Sequence, residues 1–69
     1  VNAPAVIRQR ESCLVERAYA CAAGFDRLGK SFSADITRNM ARELELGGPG
    51  ALYEHWIGAQ EARLAGMMS

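Results

Sequence analysis

The sequence predicts an all-α fold, a small three-helix bundle, and three observations carry that reading. Helix-forming residues dominate: Ala, Leu, Glu, Arg and Met are abundant, whereas Val, Ile and Thr supply seven of 69 positions, too few for a sheet. Apolar residues recur at helical spacing, with Ile7, Leu14, Ala18, Cys21, Phe25 and Leu28 separated by sevens, fours and threes. Gly47-Gly48-Pro49-Gly50 then interrupts the pattern with the residues that a chain reversal requires.

The first helix is expected over about 4–23, with Pro4 in its first turn, where a missing N–H costs nothing. Its polar face carries Arg8, Glu16 and Arg27, and Arg8 and Glu11 are spaced for a surface pair. Gly24 is expected to end it as a left-handed cap, with Gly29 as a later stop. Gly29-Lys30-Ser31-Phe32-Ser33 then reads as a connection. Ser33 would cap the second helix, and Asp35 would meet the positive end of its dipole.

The second helix is expected over about 34–46, with Ile36, Met40 and Leu44 turned inward and Asp35–Arg38 and Arg42–Glu45 as surface pairs. The third is expected over about 50–65, opened by Pro49 at its first position and stopped by Gly66. Leu52, Trp56, Ala59 and Leu64 would line its inner face, with Tyr53 and Ile57 beside them. The two outer helices are expected to pack around the shorter middle one. Together they make one domain spanning 1–69.

Such a core is thin. About a dozen large apolar side chains, each contributing about 1.5–3 kcal/mol when buried, are set against roughly 1.5 kcal/mol of ordering cost per residue. Small domains close that gap with a disulfide, a metal or a partner. A protein partner, either a second copy or a larger complex, is therefore expected. Leu14, Phe25, Phe32, Trp56 and Ile57 are the candidate anchors, because aromatic and large aliphatic side chains dominate contact surfaces. Phe32 stands out among them, since it sits between two serines in the expected connection.

Composition excludes several classes. The chain is 49% hydrophobic and 23% charged, which is globular rather than disordered. Its eight basic and eight acidic side chains cancel, unlike those of a strongly basic nucleic-acid binder. No apolar run approaches the roughly 20 residues of a membrane span, and the mixed-sign face of the first helix does not suit a membrane surface. The charge is uneven, however. Residues 1–42 carry seven basic and four acidic side chains, and residues 43–69 carry one and four.

Cys13 and Cys21 lie eight apart, about 12 Å along an unbroken helix. A disulfide needs Cα atoms within about 7 Å. The pair is thus read as two buried free thiols, as bonds to another chain, or as a bridge across a broken helix. The last two need an oxidising compartment. His55 has Ala51 and Ala59 at the positions where a helical metal site would place its second ligand, so no metal or other cofactor is expected. Ser12, Ser31, Ser33 and Ser69 sit in no nucleophile motif, and no Lys-Ser/Thr follows the glycine run, so no enzymatic activity is expected.

The leading functional expectation is therefore a non-enzymatic helical interaction or assembly module. The alternative is a small helix-turn-helix-like DNA-binding regulator using Arg38 and Arg42 on the second helix. Glu43, Glu45 and a pI near 6.7 count against it. A further alternative is a periplasmic or secreted assembly factor, resting on Val1 as first residue and on the cysteine pair. No signal-like apolar segment is present, since Arg8, Arg10, Glu11, Glu16 and Arg17 interrupt it. The compartment stays open, with the cytoplasm favoured over the periplasm or the exterior.

Overall fold

The structure is a computed structural model that describes the backbone over residues 3–69 and side chains from Cys13 onward. Three helices pack against one another in the order α1 (Ala3–Arg27), α2 (Ser31–Glu45) and α3 (Gly50–Met68). No described residue is in a strand. The side chains of Ile7, Arg8 and Glu11, which figure in the expected stripe and surface pair, lie outside the described residues. No described helix is long and apolar enough to cross a membrane.

Both reversals use one device. The N–H of Lys30 donates to the carbonyl of Phe25 and that of Gly29 to Asp26, while Gly48 donates to Glu43 and Gly47 to Leu44. Each is the paired bonding pattern that closes a helix through a left-handed residue. Gly29 and Gly47 hold φ values of 73° and 95°, which a residue with a Cβ adopts only with strain.

The first helix therefore ends at Arg27 and not at Gly24, and the connection shrinks to Leu28–Lys30. Three expectations shift with it. Leu28 leaves the apolar stripe for the exposed turn. Ser33 is not a cap, because Lys30 holds that position; instead its carbonyl accepts a 2.8 Å bond from the Thr37 hydroxyl one turn on. Asp35 falls beyond the first turn. At the other end Gly66 does not stop α3, which runs on to Met68, and Pro49 caps that helix from outside its first turn.

The hub of the bundle is α1 and not the middle helix. It packs most extensively on α2 and next on α3, while α2 and α3 meet least. Ala18, Ala22, Ala34 and Ala41 are buried, and their small side chains let α1 and α2 approach closely. One core cluster holds Leu14, Ala18, Ala41, Leu44 and Ile57, with Val15, Met40 and Tyr53 against it. The other holds Cys21, Phe25 and Ala34, with Leu64 against it. Ile36 and Met40 are only half-buried, and Ala34, Thr37, Ala41 and Leu44 form the buried face of α2.

The result is slender, 43 × 22 × 16 Å. Leu14 and Leu44 share one core cluster, and Tyr19 meets Glu45, so the end of α2 lies beside the middle of α1.

Candidate interaction surfaces

Of the five candidate anchors, three are inside. Phe25 and Ile57 are fully buried and Leu14 nearly so; they hold the three helices together and present nothing to a partner of the folded chain. Apolarity marked them as adhesive without saying to what. Phe32 and Trp56 are outside, with 78% and 41% of their surfaces exposed. Phe32 lies outside the core, in the first turn of α2. Trp56 and Leu52 leave the inner face of α3, where Tyr53, Ile57 and Leu64 take the contacts. Tyr53 and Trp56 meet edge to face with ring centres 5.4 Å apart.

The antiparallel order gathers the exposed apolar side chains at the two ends. Where α1 ends and α2 begins, Leu28 and Phe32 are exposed. The end of α3 joins them there. Leu64 lies against Gly24, and Arg63 lies over the Phe25 ring at 5.7 Å and donates to the Ser33 hydroxyl at 3.4 Å. One turn on, exposed Met67 and Met68 reach the level of the first turn. An open depression of about 380 Å³ lies beside them, lined by Glu61, Leu64, Ala65, Met68 and Ser69.

At the opposite end Leu46, 82% exposed, sits in the second turn, with Leu52 and Trp56 following on α3. Leu28, Leu46, Leu52, Met67 and Met68 were not among the sequence candidates. Leu46 had a readable signal, an apolar residue directly before a glycine pair, where no helix face remains to bury it.

Each end carries exposed charges of both signs. Arg38 spans Asp26, at 3.1 Å from both guanidinium nitrogens that reach it, and Asp35 at 3.5 Å. The expected Asp35–Arg38 pair is thus present, and Arg38, proposed for DNA contact, is held by two carboxylates. Arg42 is exposed but makes no ion pair with Glu45 among the described residues. Tyr19 donates to the Glu45 carboxylate, and Tyr53 donates to Glu43. These bonds push both phenols above the usual tyrosine value, since ionising either would set two anions side by side.

Across the α1–α3 seam, Arg17 donates from Nε to Glu61 Oε2 at 3.1 Å and from Nη2 to Oε1 at 2.5 Å. The guanidinium holds the Glu61 carboxyl below its ordinary value. Arg27 and Lys30 at the Phe32 end, and Glu54 at the Leu46 end, have no ion-pair partner among the described residues.

Cys21 is buried and Cys13 is exposed, so the expectation of two buried thiols fails at Cys13, which lies on the solvent side of α1. The unbroken helix between them excludes a bridge within the chain, and both are free. Burial raises the Cys21 thiol, with the nearby Glu61 charge adding to it. His55 is exposed. Among the described residues no three His, Cys, Asp or Glu side chains gather where a metal ion could bind.

Comparison of the chain with family models, with curated proteins and with solved structures finds no match.

Proposed function

We propose that the chain is a non-enzymatic helical interaction module that works by self-association. The observation that carries this reading is the imbalance between what is buried and what is left out. The largest fully buried side chains are Phe25, Ile57 and Thr37, whereas Phe32, Leu46, Met68 and half of Trp56 face solvent. On α3, Leu52, Trp56, Met67 and Met68 lie outside the face that meets the bundle, among the exposed polar side chains of Glu54 and His55. Association supplies the missing cover, and formal neutrality removes the net repulsion that would oppose it.

The test is absolute mass in solution by light scattering on a sizing column, with and without reductant. The expected result is a mass above 7.5 kDa that grows with concentration and is indifferent to reductant. A single-chain mass at every concentration overturns the reading. Association lost on reduction overturns the apolar contact and assigns the role to Cys13.

A further inference from the structure

We infer that α3 is a hinged lid, which leaves the α1–α2 hairpin as one unit at the Gly47–Gly48 reversal while the hairpin keeps its fold. This device stands apart from the self-association proposed above. Its basis is that the three helices are unequally held.

What α3 puts into the bundle is small. It buries Ile57, whereas α2 buries Ala34, Thr37, Ala41 and Leu44. Tyr53 and Leu64 add partly buried contacts on either side of Ile57. The polar ties across its seams, Arg17–Glu61, Tyr53–Glu43 and Arg63–Ser33, all lie at exposed positions, where water competes for each partner.

The helix is also weak by itself. Gly58 lies in its middle and Gly66 near its end, and a Cβ at either would meet nothing within 4 Å among the described residues. Neither glycine therefore makes room for a neighbour, as Gly24 does, and each weakens the helix through backbone entropy. Arg27 and Arg42 lie in the last turns of α1 and α2, where a cation meets the negative end of the dipole; α3 has no basic residue there. A helix of 19 residues with these features is marginal once it loses its seat.

The hairpin keeps most of what holds it. The most extensive packing of α1 is on α2, through the small buried side chains of Ala18, Ala22, Ala34 and Ala41. Arg38 ties α2 to Asp26, Tyr19 bonds Glu45, and backbone bonds close the turn at Gly29. None of these bonds reaches α3. Gly47 and Gly48 supply the pivot, since neither carries a Cβ that would restrict rotation. Elements that open ahead of the whole fold are those with few buried apolar contacts. Opening uncovers the apolar seat of Ile57 among Leu14, Ala18, Ala41 and Leu44.

Hydrogen exchange read by mass spectrometry tests the lid, on peptides from α1, α2 and both halves of α3 at one micromolar concentration. In the wild-type chain the slowest amides of α3 are expected to exchange about tenfold or more faster than the slowest of α1 and α2. Ala23→Gly separates the two units. Ala23 is exposed on α1, one turn from Tyr19 and Asp26, which both bond to α2. The change should speed exchange in α1 and α2 about fivefold and leave α3 untouched. Gly58→Ala should slow both halves of α3 by about the same factor. Slowest amides that exchange alike in all three helices overturn the lid, as does an Ala23→Gly chain in which α3 accelerates with the hairpin. Slowing by Gly58→Ala that stays within one half of α3 overturns its opening as a unit.

Discussion

Gly24 of α1 lies under the side chain of Leu64 of α3, so closely that a Cβ at position 24 would stand 2.5 Å from Leu64 Cδ2 and 3.5 Å from its Cγ. The residue that looks like a helix stop is the point where α1 gives way to let α3 in. Gly24→Ala sets two effects against each other. Alanine favours the helix by about 0.8–1 kcal/mol, and overpacking costs about 1–3 kcal/mol. The overlap is confined to Leu64 Cδ2, with Cδ1 and Cγ at ordinary contact distance, but Leu64 is packed against the Cys21, Phe25 and Ala34 cluster and turning it aside disturbs that packing, so the second effect wins and we expect a net loss of about 1 kcal/mol. With Leu64→Ala already in place, the same change should stabilise the protein. Urea unfolding of the four proteins of this cycle checks the reversal of sign; additive effects would mean that α3 does not sit on Gly24.

Ile57 is the side chain by which α3 enters the main core. Truncating a buried Ile to Ala typically costs about 2–5 kcal/mol, against a total of about 3–10 kcal/mol for a chain of this length. Ile57→Ala should therefore leave a protein that unfolds at low urea, and Ile57→Val one that loses about 1 kcal/mol. Leu52→Ala, five residues earlier but turned outward, should change stability by less than about 0.5 kcal/mol. Equal denaturant slopes would confirm that the midpoints report stability. If Leu52→Ala cost as much as Ile57→Ala, the inner and outer faces of α3 would have been assigned the wrong way round.

This contrast also marks how far the sequence could be read. The fold class, the three helices and the reversal at Gly47-Gly48 were legible because they depend on local residue preferences and short spacing. Gly24 was misread because a glycine late in a helical pattern has one local signature, whether it ends the helix or admits a neighbour. Trp56 was placed inward and shown outward because apolar and polar residues are interspersed around α3 without one apolar stripe, so periodicity assigns it no direction; the direction comes from where α1 stands. The interaction surface was half legible. Phe32 stood out through its serine neighbours, but Leu46 and Met68 become parts of two opposed faces only once the antiparallel order brings the chain ends and turns together.

The Arg17–Glu61 pair gives α1 and α3 a pH-dependent tie. Glu61 is held below its ordinary value in the folded protein, so on acidification the unfolded chain takes up this proton first. The contribution is fully present above the ordinary value of about 4.3 and disappears as pH falls through the lower folded value. Both side chains are more than a third exposed, which limits the tie to about 0–1 kcal/mol. Glu61→Gln should thus cost up to about 1 kcal/mol at neutral pH and nothing at the acid end of the range in which the fold survives. A gap between wild type and variant that persists unchanged into acid would show that the loss comes from packing or hydrogen bonding rather than charge.

The two thiols should separate cleanly in reactivity, because attack requires an accessible thiolate. Cys13 lies on the solvent side of α1, whereas Cys21 is packed with Phe25 and Ala34 and its thiol is raised by burial. A disulfide reagent added to the native protein should therefore consume one thiol per chain in a fast phase. The second should follow at a rate set by opening of the helix bundle. Cys13→Ser should abolish the fast phase, and Cys21→Ser should leave it intact. Ile57→Val, which loosens the core without touching either cysteine, should accelerate the slow phase alone, by about the factor that its loss of stability predicts, since exchange through global opening tracks the population of the open form. A slow phase indifferent to Ile57→Val would mean that Cys21 is reached by local motion of the α1–α3 seam, where Leu64 packs against its cluster.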